Sequence, residues 1–485
     1  MLLILPELTI ILTALAVLCT GIFSEKKQLL APIAFAGIVA ALAALAIVPH
    51  EGAIFGGRLA IDSVTWWFRL VFMLAGAVTV GLSADLFDGR APALKMKLTS
   101  GELASSCEYY AVLLLNLVGM MFMASARDMV SLYIGLELAT IPLFILAAWN
   151  RDHLSGEAGL KYLIIGALAS ALLLYGLSLL YGVSGEMQLE LIGKVLKPSP
   201  ILFLAIGFII AGVGFKMTVA PFHMWAPEVY QGAPTPVTAY LSVASKAAGL
   251  ALMFQLSFRV LGRFVDEAGW LFAILAALTM TIGNLVAIVQ QNIKRFMAFS
   301  SISQAGYILI GFISPANESI AAMLFYIFVY LFTNFTVFTV IVLYSNADGR
   351  EKIDDYKGIA RSNPIIALAM MLGLFGLAGI PPLSGFVGKF FLFSLAAKAG
   401  FYWLVALAAV NSTISLYYYL RIVRQMYIEP LPVLANGSSV TVRITPVLFV
   451  VLAVTTVCSV FLGIIPFFYE VIHADTVRWL AELIQ

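Results

Sequence analysis

Apolar runs long enough to cross a bilayer, about 20 residues each, alternate with short polar stretches from one end of this chain to the other. The pattern predicts fourteen membrane-spanning helices, over about 2–23, 29–48, 63–84, 108–126, 128–148, 157–182, 199–229, 236–257, 267–289, 293–313, 316–345, 363–398, 401–428 and 443–470. Two of them, 199–229 and 363–398, are too long for a straight crossing and carry proline well inside the run. The first holds Pro221 and Pro227; the second holds Pro381 and Pro382, followed by Gly385. Proline lacks a backbone donor and clashes with the preceding turn, so both are expected to be broken helices. Such backbone is tolerated at membrane depth only where it is buried in protein or lines a wet cavity.

The two breaks lie five spans apart. A unit of five helices, an odd number, must face the opposite way when it is repeated. Spans four to eight (residues 108–257) and nine to thirteen (258–428) therefore read as an inverted repeat. Three helices in 1–107 precede it, and one helix in 429–485 follows. The expected fold class is an all-α polytopic membrane protein, with transport sites near the midplane at the discontinuous helices.

Composition agrees: 62% of the 485 residues are hydrophobic and 11% charged, with a mean hydropathy of +1.01. A net charge of +2 gives no electrostatic case for nucleic acid. Cys19, Cys107 and Cys458 are far apart and form no metal-ligand spacing, so they read as packing residues. No Gly-rich nucleotide loop is present. The first helix lacks a basic leader and a small-residue cleavage site, and bulky Leu18 before Cys19 argues against lipid attachment, so it reads as a retained span.

Against this background the charges inside spans stand out. Glu137 lies in SLYIGLELATIPLF, Lys216 in ILFLAIGFIIAGVGFKMTVAPF, Lys246 in TAYLSVASKAAGLALMF, and Lys389 follows GLAGIPPLSGFVG. An ionisable group at the bilayer centre costs at least about 2.5–3.5 kcal/mol, which makes function the default reading. Glu137 is nine residues past Asp128, about 13 Å along a helix. A lysine out of water holds its proton less firmly, and a nearby carboxylate restores its grip. Moving one charge against about 200 mV needs about 4.6 kcal/mol, within the range that burial and an ion pair can supply. Four such groups point to a path for protons or ions.

Each has a bland alternative. Glu137 with Lys216 can be a static interhelical salt bridge, and Lys246 and Lys389 can be structural, although neither has an acid in its own helix. Lys161, one turn from Glu157, can relay charge or snorkel to the interface. His223 can pass a proton or bond a carbonyl freed by the Pro221 break. Ser300, Ser301, Ser303, Gln304 and Tyr307 can hold a water chain or make polar helix contacts. Arg69, behind Trp66 and Trp67, reads as an interfacial anchor, and Glu7 and Asp62 as span-edge residues.

Lysine and arginine counts set the expected orientation. Loops after odd-numbered spans hold fifteen, among them Lys26, Arg90, Lys95, Lys97, Lys294, Arg350 and Arg443; the opposite side holds eight, among them Arg58, Arg127, Arg259 and Arg263. That places both termini outside and the basic loops in the cytoplasm.

The segments KMTVAPFHMWAPEVYQGAPTPVTAYLSVASKAAG (216–249), QNIKRFMAFSSISQAGY (291–307) and GLAGIPPLSGFVGKFFLF (376–393) resemble signatures of the antiporter-like, proton-pumping subunits of respiratory complex I. The resemblance covers essentially the whole chain and implies a bacterial plasma membrane. It implies that Glu137 and Lys216 form a modulating ion pair, that Lys246 is the central carrier, that Lys389 exchanges protons with the outer side, and that Lys161 is a second-tier lysine. It also implies other complex I membrane subunits as partners, neighbouring antiporter-like ones included. NADH, FMN, iron–sulfur clusters and quinone are expected on those partners, with no cofactor in this chain. One departure is Gln304, where some members carry histidine; glutamine cannot carry charge. Rival readings are a subunit of a multi-subunit sodium/proton antiporter, a ferredoxin-linked photosynthetic-type complex, and a passive scaffold.

Overall fold

The computed structural model describes residues 2–23, 27–87, 106–262, 265–314, 317–430, 444–465 and 467–484. Lys26, Arg90, Lys95, Lys97, Arg263 and Arg443 of the orientation count lie outside them. Among the described residues, twelve helices are long and apolar enough to cross a membrane. The chain is a multi-pass α-helical membrane protein. Twelve rather than fourteen meet that standard for a local reason. Ile293–Leu309 has only 17 residues and includes Lys294, Arg295 and Gln304. The long run 363–398 is divided into Pro364–Ala378 and Ser384–Lys398, each of 15 residues.

Burial sorts the helices. Thr235–Arg259 is buried throughout its apolar stretch and Glu318–Ala347 nearly so, whereas Leu2–Phe23 and Pro446–Ile464 show most of their surface. The centre of the fold is therefore the helix bearing Lys246 and its neighbour, and the terminal spans face outward. With no hydrophobic drive between helices in lipid, close approach depends on small residues. A Cβ on Gly119 would sit 2.4 Å from the Ala139 backbone nitrogen, and one on Gly135 2.6 Å from the Met123 nitrogen, so these two glycines let Ser106–Ser125 press against the Glu137 span.

Both expected breaks are present. Pro200–Met217 ends on Thr218, whose φ of 61° is left-handed, and the chain resumes as Trp225–Gly232. Pro364–Ala378 ends on Gly379, with φ of 85°, and resumes at Ser384. A Cβ on Gly385 would lie 1.7 Å from the Gly376 carbonyl oxygen, so the second half-helix backs directly onto the first. A third break was not expected. The Glu137 span divides into Met129–Leu138 and Ile141–Ala147, with Pro142 in the first turn of the second piece.

Two further elements depart from expectation. A hairpin pairs Gly52–Ile54 with Leu59–Ile61 between the second and third spans. After Pro446–Ile464 the chain forms a separate helix, Phe467–Ile484, where one span to residue 470 was expected. That helix is docked: Trp479 Nε1 donates to Asp62 Oδ2 at 2.7 Å and Trp67 Nε1 to Asp475 Oδ2 at 3.1 Å.

Asp62, Glu7 and Arg69 are buried ion-pair partners, not span-edge or interfacial residues. Asp62 is a hub, 2.7 Å from both Arg127 and Arg259, and Arg259 also reaches Glu190. Burial alone would raise the Asp62 carboxyl, but the two guanidiniums outweigh it and hold it down to about 2. Arg69 is no interfacial anchor: it is 1% exposed and pairs with fully buried Glu7 at 2.6 Å. It also donates to Leu3 O and Ser125 Oγ. The Asp62 hub joins segments that follow even-numbered spans, which fixes them on one face.

Candidate functional site

The Lys216 helix starts where Ser199 Oγ accepts from Leu202 N, with Pro200 in its first turn. It stops at Thr218, where the backbone turns left-handed and its last carbonyls lose helical partners. One of these, Phe215 O, accepts from Trp225 Nε1 at 3.0 Å, and Ala220 N donates to Thr279 Oγ1 at 3.0 Å. The indole thus does what His223 was thought able to do. His223 is half-buried, and its Nδ1 is buried without a hydrogen-bond partner.

Lys216 lies just before this break, 2% exposed. Its Nζ donates to Thr140 Oγ1 at 2.7 Å and Ala139 O at 3.1 Å, both at the unexpected break after Glu137. Asn116 Nδ2 reaches the same carbonyl at 2.7 Å, and its Oδ1 accepts from Tyr240 OH at 2.7 Å. Glu137 itself is half-buried, with Oε1 unbonded. It interacts electrostatically with Lys216 but, among the described residues, comes within 4.0 Å of no cation. Neither the static bridge nor the direct modulating pair is formed; the ammonium rests on neutral oxygens at the negative end of a half-helix.

Lys246, also 2% exposed, donates to Thr218 Oγ1 at 2.7 Å and lies 6.0 Å above the Tyr230 ring. Lys389, 3% exposed, donates to Leu377 O at 3.0 Å, Ala378 O at 2.9 Å and Ser412 Oγ at 3.2 Å, over the Tyr307 ring at 4.6 Å. Leu377 and Ala378 are the last residues of the half-helix before Gly379, so a cation again caps a helix C-terminus. Among the described residues, none of the three lysines has a carboxylate within 4.0 Å. Each is held at a backbone break.

The Ile293–Leu309 helix packs against both the Lys246 helix and the Lys389 helix. Its polar groups have protein partners: Ser300 with Tyr419 at 2.6 Å, Ser301 with Tyr330 at 2.9 Å, Gln304 with Leu377 O at 3.1 Å and with Tyr326. Polar helix contacts account for these groups, and Gln304 shares a carbonyl with Lys389. Lys161 lies apart from the buried row. It is 41% exposed and bridges Glu157 at 2.6 Å and Glu228 at 2.5 Å.

Sequence reasoning missed Thr218, Thr140, Asn116 and Glu228. The Thr140-Ile141-Pro142 run was a visible signal for the third break. Among the described residues no group of His, Cys, Asp or Glu is arranged to hold a metal ion.

Buried lysines at broken helices in a polytopic bundle define the class of antiporter-like membrane proteins, and the comparisons agree. The family model for the transmembrane region of NADH:quinone oxidoreductase and Mrp antiporters matches residues 126–415. NADH-quinone oxidoreductase subunit N of Moorella thermoacetica is 43% identical, over 91% of this chain and 90% of its own. A chain of respiratory complex I from Thermus thermophilus is 30% identical, with a TM-score of 0.79 over 96% of this chain and 98% of that one. A chain of the Mrp complex from Dietzia shares the fold at 20% identity, with a TM-score of 0.85 over 98% and 96%. The chain belongs to the NADH-quinone oxidoreductase subunit N family.

Proposed function

We propose that this chain is a proton-translocating membrane subunit of a respiratory NADH:quinone oxidoreductase. Glu137, Lys216, Lys246 and Lys389 form its proton path. The observation that carries this reading is that three buried ammonium groups lie at broken helices with neutral oxygens, and no carboxylate among the described residues, as their hydrogen-bond acceptors. A purely structural lysine at such depth would be expected to have a carboxylate against it. Here each proton is held by a hydroxyl or by helix-end carbonyls, and small shifts of the broken backbone alter that hold.

Glu137 is the lever in this scheme. A change beside it, made by a neighbouring membrane subunit, alters how firmly Lys216 keeps its proton. The proton passes towards Lys246, bonded to the Thr218 cap, then to Lys389 and the outer face. His223, with a free buried nitrogen near the first break, is a secondary relay. Lys161, half-exposed between Glu157 and Glu228, is the charged group a neighbouring subunit can reach. The breaks at Thr218 and Gly379 support the division into two inverted five-helix units, 108–257 and 258–428. NADH, FMN, iron–sulfur and quinone chemistry belongs to partner subunits. The chain sits in a bacterial plasma membrane with both termini outside. Sodium/proton antiport is not favoured: identity to the Mrp chain is 20%, against 43% to subunit N.

The test is proton pumping by membrane vesicles carrying Lys216→Ala, beside NADH:quinone electron transfer and a native-gel check of assembly. Loss of pumping together with coupled turnover in an assembled complex is the expected result. An assembled variant that pumps normally would mean that the buried lysines are structural.

A further inference from the structure

Two tyrosine–asparagine pairs join helices at corresponding places in the chain. Tyr240 OH donates to Asn116 Oδ1 at 2.7 Å, and Tyr418 OH donates to Asn284 Oδ1 at 2.8 Å. Asn116 lies on Ser106–Ser125 and Tyr240 on Thr235–Arg259, the first and last helices of the first proposed five-helix unit. Asn284 lies on Val265–Ile288 and Tyr418 on Tyr402–Tyr427, the first and last helices of the second. All four side chains are buried. An amide at such depth has its hydrogen bonds met inside the protein, and the same pair in both units points to a shared task.

The far end of each amide reaches the group on which a broken-helix lysine rests. Asn116 Nδ2 donates to Ala139 O at 2.7 Å, the carbonyl that also accepts from Lys216 Nζ at 3.1 Å. Asn284 Nδ2 donates to Tyr307 OH at 3.3 Å and to Asn411 Oδ1 at 3.1 Å, and the Tyr307 ring lies under Lys389 Nζ at 4.6 Å. Chemistry fixes the direction of the first chain. A carbonyl only accepts, so the amide nitrogen of Asn116 faces Ala139, its Oδ1 faces Tyr240, and the phenol must donate. Hydrogen bonds that run one way polarise one another, so Tyr240 makes the Asn116 amide a stronger donor. Two donors then share one oxygen, and each weakens the other's bond. Further ionisable groups around Lys216, among the described residues, are Glu137, acting across a gap, and Lys246, bonded to the Thr218 cap. Tyr162, its ring 6.0 Å from that of Phe215, and half-buried His223 complete the set.

We propose that Asn116 is a positioning residue for proton transfer at Lys216: held by Tyr240, it takes up part of the Ala139 oxygen and so keeps the lysine ready to release its proton. Tyr240 and Lys246 share one helix, so the clasp also ties that release to the placement of the next carrier. The proposal rests on the reading of Lys216 as a proton carrier.

The experiment uses the assembled complex in vesicles and follows coupled pumping against pH for the parent, for Asn116→Leu, and for Asn116→Leu combined with Tyr240→Phe. Removing both partners strands no polar group, so the double variant should assemble and melt close to the parent. The single variant leaves the Tyr240 hydroxyl buried and unbonded, and should melt lower. In both, the alkaline limb of the pumping profile is expected to move up by about one pH unit, equivalent to an about tenfold firmer hold on the proton. The shift thus follows the amide and not the stability. A limb that stays in place or moves down, whether or not pumping falls by a common factor at every pH, would reduce the clasp to a structural contact and overturn the proposal. Lys216→Ala keeps the two ideas apart. A fixed limb in the clasp variants beside lost pumping in Lys216→Ala sinks the clasp alone. Normal pumping in Lys216→Ala removes the carrier reading, and the role of Asn116 with it.

Discussion

Lys246 Nζ and Thr218 Oγ1 lie 2.7 Å apart, and Thr218 is the left-handed residue on which the Lys216 helix ends. One β-branched side chain, in a backbone conformation that strongly disfavours it, thus joins the stop of one lysine helix to the proton of the next. Backbone strain retained at such a point suggests that the hydroxyl is what is needed there.

Substitutions at Thr218 separate the two roles. Thr218→Gly removes the strain and the hydroxyl together, and Thr218→Ser keeps the hydroxyl. The glycine variant should melt within a few degrees of the parent, because relief of the left-handed strain offsets the lost bond, yet lose coupled pumping, on the order of tenfold if a bond to a charged group worth about 1.5 kcal/mol is lost. The serine variant should pump nearly normally. Measured side by side in vesicles, equal pumping by both would show that the Thr218 hydroxyl is dispensable.

Glu137 makes no direct ion pair among the described residues, which leads to an unusual stability prediction. Removing one member of a buried salt bridge usually costs about 3–5 kcal/mol, because the partner is left stranded. Glu137→Gln strands nothing, since Lys216 is held by Thr140 and Ala139. The purified complex should melt within a few degrees of the parent while its coupled turnover falls. A large drop in melting temperature would instead reveal a pair that forms in the assembled complex.

The Asp62 hub should behave in the opposite way. Asp62→Asn leaves Arg127 and Arg259 close together without their carboxylate, at a cost of about 3–5 kcal/mol. The folded carboxyl lies at about 2 against an ordinary 3.8, so it is depressed. Its contribution is complete above about pH 4 and is lost as the pH falls through 2. The melting gap between parent and variant should be constant from pH 7 to pH 5, then narrow by an amount equivalent to about 2 kcal/mol towards pH 2. A gap that stays constant down to pH 2.5 would mean that Asp62 is not held ionised by its arginines.

The contrast between these sites shows what the sequence could and could not convey. Lys216, Lys246 and Lys389 were legible because a lysine in an apolar run is anomalous without any knowledge of its neighbours. The breaks at Thr218 and Gly379 were legible because proline and glycine act locally. Glu7 and Asp62 looked harmless at span ends because their partners are distant in the chain. Arg127 is 65 residues from Asp62, and Arg259 is 197. The break after Glu137 was overlooked although Pro142 marks it, since that span was short enough to cross unbroken. Glu137 acts on Lys216 only across a gap for a related reason: the break offers Lys216 an oxygen pair that a continuous helix would not expose.

Lys389 offers the sharpest separation of carrying a proton from capping a helix. Its ammonium donates to Leu377 O and Ala378 O at the end of a half-helix, a role any cation of similar reach fulfils. Arginine keeps the positive charge and the donors but does not give up its proton in a protein. Lys389→Arg should therefore assemble and melt close to the parent, while Lys389→Met, which leaves both carbonyls without their cation, melts lower. If Lys389 passes protons outward, both variants lose pumping alike despite their different stabilities. If it only caps the helix, the arginine variant pumps normally and pumping follows stability across the pair. Native gels, melting curves and vesicle pumping on the same three preparations decide between these outcomes.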